Sequence, residues 1–220
     1  MSFIVYFAAS FHLIPIIVFC CFRKLLRFSK IYFYILALAA NSFLADLIGL
    51  SLVNFGLNSN LVSNSYDIIE RIIATLFLAD ISLISLRYKK ALVLMSVLIS
   101  LFQICYCFSN RFLTQNDYLN LFSGVYLCLL ALYTLNKMTF DSLSVSSKID
   151  INILPVIGFF FFVATMLIPN MITYIDDSVK FPVLFHEVRK GVTVGSNIIR
   201  DSLFALFFFQ AKKMNYDTGK

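Results

Sequence analysis

Residues Ile31–Val53 read IYFYILALAANSFLADLIGLSLV, and Asp46 is the only charged residue among them. A helix needs roughly 20 apolar residues to cross the hydrocarbon core of a bilayer. This stretch meets that length and lacks the Gly, Pro or charge clusters that would break it. It therefore reads as a membrane-crossing helix, and it sets the standard for the rest of the chain.

Working outward, six more stretches follow the same pattern. They are Phe3–Phe22, Tyr66–Leu86, Ala91–Ser109, Tyr118–Asn136, Ile151–Ile172 and Gly191–Gln210. The third and seventh of the seven spans carry several charges, and the fourth is short and clean. The expected fold is an all-α bundle of seven transmembrane helices over residues 1–210, followed by a tail at 211–220. The whole composition agrees. The 220 residues are 60% hydrophobic and 14% charged, with mean hydropathy +0.86. Soluble domains have about 45–50% apolar and about 25% charged residues. Disorder is excluded as well, because 25 Phe and 11 Tyr are far too many aromatics for a disordered chain. Seven spans leave no room for a sizeable soluble domain, so any signalling output would need a membrane or cytoplasmic partner.

The net charge of +6 would suggest nucleic acid in a soluble protein. Here the basic residues come in short bursts between apolar runs, which points to membrane orientation and away from nucleic acid. Twelve Lys and Arg fall on one side of the expected bundle, among them Arg23, Lys24, Arg87, Lys89, Lys137 and Lys212. Four fall on the other side: Arg111, Lys180, Arg189 and Lys190. Cytoplasmic loops carry the excess, so the N-terminus is expected outside and the C-terminus inside. Phe3–Phe22 lacks a basic leader and a small-residue cleavage site, so it is expected to stay as the first helix. The expected location is a bacterial inner membrane. Cys20, Cys21, Cys105, Cys107 and Cys128 lie in apolar runs and are odd in number. They form no disulfide framework and read as buried apolar thiols.

Ionisable residues inside spans are costly and mark function or internal pairing. His12, Asp46, Glu70, Arg200 and Asp201 all fall in the outer half of the expected spans, at similar depth, with Asn197 beside them. On the last helix, Thr193, Ser196, Asn197, Arg200 and Asp201 follow helical spacing and make one polar stripe. On the second, Asn41, Ala45 and Gly49 form a small-residue ridge suited to close helix contact. His12 precedes Pro15, which lacks an N–H and frees a carbonyl in the preceding turn. The expectation is one outward-facing polar cavity lined by His12, Asp46, Glu70, Asn197, Arg200 and Asp201. Asp46, Glu70 and Arg200 are expected to lie in one hydrogen-bonded network, with His12 and Asn197 at its edge. Asp201, the neighbour of Arg200, points about 100° away around the helix. Arg71 is expected to pair with Asp67 and to reach toward water at the outer interface. Asp80 is expected to make an inner-side contact on the face of Arg87.

Three functions fit such a cluster. It can stitch the helices together, it can bind a small ligand or ion, or it can catalyse. Retinal chemistry needs a lysine inside a helix, and every lysine here lies in a loop, an end or the tail. A three-histidine zinc site is excluded by the presence of only His12 and His186. A mixed site of His12, Asp46 and Glu70 is chemically conceivable, but no spacing signature supports it, and no cofactor is expected. No serine-hydrolase, metalloprotease, phosphate-loop or dinucleotide motif is present, so an enzyme is the least favoured reading. Transport would need access from both sides and would draw on Asp80. The leading expectation is a receptor-like or sensory component that binds a small ligand or ion. The residues Thr173–Lys190 form the longest loop, expected to fold over the cavity as a lid with His186 or Glu187 facing inward.

Three short motifs carry a resemblance. They are His12-Leu13-Ile14-Pro15, Leu44-Ala45-Asp46-Leu47-Ile48 and Tyr66-Asp67-Ile68-Ile69-Glu70. Together they resemble a family of bacterial seven-helix integral membrane proteins without an established activity. The resemblance implies the seven-helix architecture and marks His12, Asp46 and Glu70. The missing Trp and the charged outer loop depart from the pattern.

Overall fold

The computed structural model describes residues 9–24, 26, 29–109, 117–145, 151–176 and 182–218. Among them are seven helices and no strand: α1 (Leu13–Phe22), α2 (Lys30–Asn54), α3 (Asn60–Ile81), α4 (Leu86–Ser109), α5 (Asp117–Val145), α6 (Ile153–Asp176) and α7 (Pro182–Thr218). A helical turn at residues 9–11 precedes α1. Together with it, the apolar helix runs Ala9–Phe22 and is interrupted at His12. Pro15 sits in the first turn of α1, where its missing N–H costs nothing.

Four helices are long and apolar enough to cross a membrane: Lys30–Asn54, Leu86–Ser109, Leu119–Phe140 and Gly191–Lys213. Ala9–Phe22 and Ile153–Ile168 are shorter apolar helices. Burial runs opposite to that of a soluble protein. Arg71, Arg200, Asp201 and His12 are at most 1% exposed, while Phe102, Phe108 and Leu129 are 61–68% exposed on the outside of the bundle. Such an apolar exterior over a charged interior is the arrangement of a membrane protein. Three of the cysteines, Cys20, Cys21 and Cys105, also sit on that exterior, and only Cys107 is buried. The expectation of buried thiols therefore holds for Cys107 alone.

The helices pack as a closed series. α1 lies between α2 and α7, α3 between α2 and α5, and α6 between α5 and α7. α4 leans on α3 and hardly touches α5. One glycine sets the tightest backbone approach. A Cβ on Gly158 of α6 would stand 3.1 Å from the Leu203 Cβ and 3.3 Å from the Arg200 carbonyl oxygen on α7. The ridge expected at Asn41, Ala45 and Gly49 is not such a seam. Nothing lies within 4 Å of a Cβ built on Gly49. Asn41 instead donates from Nδ2 to the Tyr66 carbonyl at 3.3 Å.

Helix ends differ from the expectation where local chemistry overrides hydropathy. α2 closes as read, with Gly56 at φ 69° and the Leu57 N–H bonded to the Leu52 carbonyl at 2.8 Å. This is a glycine-terminated helix end. α3 begins at Asn60, well before Tyr66, because Asn58 Oδ1 accepts the Asn60 N–H at 2.7 Å and starts the first turn. It ends at Ile81 because Leu83 takes the left-handed conformation, φ 49°, that glycine usually supplies. α5 and α7 run past the apolar segments that announced them. The lid expected over Thr173–Lys190 is largely helix: residues 173–176 end α6 and 182–190 open α7. Residues 177–181 lie outside the described residues, and so do residues 1–8 of the first expected span.

Candidate functional site

A cavity of about 350 Å³ opens toward the end of the bundle shared by the start of α3, α5 and α7 and the end of α2 and α6. His12, Asp46, Glu70 and Asn197 line it, together with Ser42, Tyr66, Asp67, Arg71, Asn120 and Ser123. Leu127, Phe162, Val163, Met166 and Leu167 form an apolar wall.

Arg200 is the centre of the charge network behind this wall. It is fully buried. Its Nε donates to Asp201 Oδ1 at 3.1 Å, one Nη to Glu70 Oε1 at 3.2 Å and the other Nη to Ser42 Oγ at 3.0 Å. Its guanidinium lies 4.4 Å from the ring centre of Phe162. The planar fork thus bonds α2 and α3 through its edge while its face covers an aromatic ring on α6. Glu70 is fixed again by Tyr66, one turn earlier on α3, whose hydroxyl donates to Oε1 at 2.6 Å. Ser42 in turn donates to the Leu38 carbonyl at 3.1 Å.

His12 joins the network from α1. Its Nδ1 lies 2.5 Å from Asp201 Oδ2 and its Nε2 3.2 Å from Asp46 Oδ2. A bond from either ring nitrogen to a carboxylate requires a proton on that nitrogen, so the geometry suits a doubly protonated ring. The 3.4 Å approach of an Arg200 Nη to His12 Nδ1 is then a contact between two donors. The two carboxylates bring the ring and the guanidinium together despite their like charge.

Asp46, Glu70 and Arg200 lie in one hydrogen-bonded network as expected, Asp46 joining through His12 and not meeting Arg200 directly. The network differs from the expectation in two ways. Asp201 is a direct partner of Arg200, because the long arginine side chain folds back to its own neighbour. His12 is central and not at the edge. Asn197 lines the cavity without a bond to the network, and its buried Oδ1 has no hydrogen-bond partner. The conceivable metal set of His12, Asp46 and Glu70 does not converge. Among the described residues no group of three His, Cys, Asp or Glu side chains could hold a metal ion.

Arg71 is the residue most displaced from expectation. It is buried and points toward α4 and α5, not out to water as expected. Nε donates to Ser123 Oγ at 2.5 Å, and the two Nη atoms donate to Ser100 Oγ at 3.2 Å and Gln103 Oε1 at 2.6 Å. Asp67 and Glu70 lie near enough to attract its charge. The sequence carried a signal for these partners. Ser96, Ser100, Gln103 and Cys107 recur at helical spacing, and α4 buries all four.

The opposite end of the bundle holds a separate polar pair. Asp80 accepts from the Tyr34 hydroxyl at 2.7 Å and is bridged by Lys89, in place of the contact expected near Arg87. Phe77, between Glu70 and Asp80 along α3, meets Phe159 of α6 at 6.4 Å, and toward the same end as the polar pair Tyr32 meets Phe207 and Phe208, each at 5.6 Å.

Compared with known protein families, curated proteins and solved structures, the chain matches none of them, so the likeness noted from the sequence rests on its three short motifs.

Proposed function

We propose that this membrane protein binds a small ligand or ion in the polar cavity, from outside the cell, as a receptor-like or sensory component. The observation that carries the reading is the cavity itself. It has a volume typical of a small-molecule site, one apolar wall and a few convergent polar groups. A bundle that used its charges only to join helices would have no need to keep Asp46 about one-third exposed at a cavity mouth. The proposal takes all seven helices as crossings, with the N-terminus outside and the C-terminus inside, as the distribution of Lys and Arg favours. On that topology the cavity faces outward, and the membrane is a bacterial inner membrane. With short inner loops, the output passes to a membrane or cytoplasmic signalling partner.

Transport is the second reading, because Asp80, Lys89 and Tyr34 offer polar groups at the other end. The fully buried Phe77 and Phe159 rings, packed together between the two ends, favour binding over passage.

Cysteine accessibility tests the proposal. In a cysteine-free background, Ser63→Cys at the cavity wall should react with a membrane-impermeant thiol reagent added to intact cells. A cytoplasmic reporter fused after Lys220 should be active. A Ser63→Cys protein that reacts only in inverted vesicles would overturn the outward-facing site.

A further inference from the structure

At the end of the bundle away from the cavity, basic side chains crown an apolar seam between the first and last helices. We infer that the seam between α1 and α7 holds one anionic phospholipid, its phosphate at Arg23, Lys24, Lys212 and Lys213 and its acyl chains along the exposed faces of the two helices. The site is separate from the cavity and does not depend on what the cavity binds.

Three observations carry it. The first is how the seam is built. α1 and α7 pack through aromatic rings: Phe19 meets Phe208 at 5.3 Å, and Phe22 meets Phe209 at 6.0 Å. Lys212 sets its ammonium 4.0 Å from the centre of the Phe22 ring. The ring quadrupole holds a cation placed over its face, so this charge is fixed at the seam. Arg23 and Lys24 follow Phe22 in the next turn, Lys213 follows Lys212, and all three are exposed. Two distant stretches of chain thus bring four cations together where the two helices meet.

The second is the surface that runs away from these cations. On α7, Ile199, Leu206 and Phe209 are exposed and recur at helical spacing on one face with Lys213. On α1, Ile14, Ile17 and Cys21 are exposed in the same way. Ile199 to Phe209 covers about 15 Å at 1.5 Å per residue. This is half of the roughly 30 Å hydrocarbon core, the depth of one leaflet. Two apolar faces side by side match the two chains of a phospholipid.

The third is charge. Arg23, Lys24 and Lys213 form no ion pair with a described residue. Asp80, toward the same end on α3, is bridged by Lys89. Unpaired basic side chains at a membrane surface attract anionic headgroups. Orientation in the membrane asks only for positive charge at this end. It does not ask for a cation fixed on an aromatic ring at the head of a two-helix apolar seam.

The test is native mass spectrometry and thermal unfolding of the purified full-length protein in detergent, with three probes: dioleoylphosphatidylglycerol, dioleoylphosphatidylcholine and glycerol 3-phosphate. Phosphatidylglycerol should be retained as one lipid per chain and raise Tm saturably. Phosphatidylcholine has the same chains without net charge and should bind at least about tenfold more weakly. Glycerol 3-phosphate has the charge without the chains and should not raise Tm. Lys24→Gln/Lys213→Gln should weaken phosphatidylglycerol about tenfold and keep the lipid-free Tm within a few degrees. Arg87→Gln/Lys90→Gln removes two exposed charges from α4 at the same end and should leave that affinity within about twofold. If phosphatidylcholine binds as tightly as phosphatidylglycerol, recognition of an anionic head is overturned. If glycerol 3-phosphate raises Tm as much as the lipid, the apolar seam has no part in binding and the lipid assignment is overturned. If the α4 pair weakens binding as much as the seam pair, or the seam pair leaves it unchanged, the lipid is not held between α1 and α7. Retention of neither lipid overturns the site altogether.

Discussion

Arg200 and Arg71 are both buried, both line or back the same cavity, and are held in opposite ways. Arg200 bonds two carboxylates and a serine and covers an aromatic ring, so its charge is matched within the protein. Arg71 gives its three nitrogens to two serines and a glutamine. The first arrangement joins α7 to α2 and α3. The second ties α3 to α4 and α5. Neutral acceptors stabilise a guanidinium less than carboxylates do, yet removing them strands less charge. The difference assigns Arg200 a structural role that the fold depends on and leaves Arg71 as the more replaceable anchor beside the cavity.

The comparison predicts a ranking of substitutions. Arg200→Ala should have the largest effect. It leaves Glu70 and Asp201 buried without their cation, a cost of about 3–5 kcal/mol. The expected outcome is loss of the folded, monodisperse protein in detergent, with Arg200→Lys recovering part of it. Full stability of the alanine variant would break the comparison. Arg71→Met should cost less, about 1–3 kcal/mol, because its hydrogen-bond acceptors are neutral and the side-chain volume is kept, although a positive charge near Asp67 and Glu70 is lost. The protein should remain folded with a lowered Tm. An Arg71→Met loss equal to that of Arg200→Ala would remove the distinction between the two sites.

Much of this contrast was legible in the sequence, and the unread part has physical causes. Charges in apolar runs stand out, so His12, Asp46, Glu70, Arg200 and Asp201 could be picked as one group before any coordinates. Hydropathy finds where a helix is apolar, and it missed where α5 and α7 continue beyond their apolar segments. The Ser- and Asn-rich residues 60–65 read as loop, yet they form the first turns of α3, with Asn58 Oδ1 just ahead of the helix accepting the Asn60 N–H. That shift moved Arg71 away from the assumed interface and into the bundle. Nothing in the sequence marks Leu83 as a left-handed helix terminator, because the glycine that normally signals one is absent. Backbone direction ranks Asp201 below the carboxylates of other helices as a partner for Arg200, yet a side chain as long as arginine can turn back along its own helix.

The central claim is that Arg200 and Glu70, 130 positions apart, form one charge pair that bridges α7 and α3 through the interior of the bundle. A double-mutant cycle with Arg200→Gln and Glu70→Gln, read by Tm and denaturant unfolding in detergent, measures that pair directly. The account predicts a coupling of at least ~1 kcal/mol, within the range of about 0.5–3 kcal/mol seen for contacting residues. It also predicts that this coupling exceeds that of Glu70 with its sequence neighbour Arg71. Additive effects of Arg200→Gln and Glu70→Gln, or a stronger coupling of Glu70 to Arg71, would contradict it.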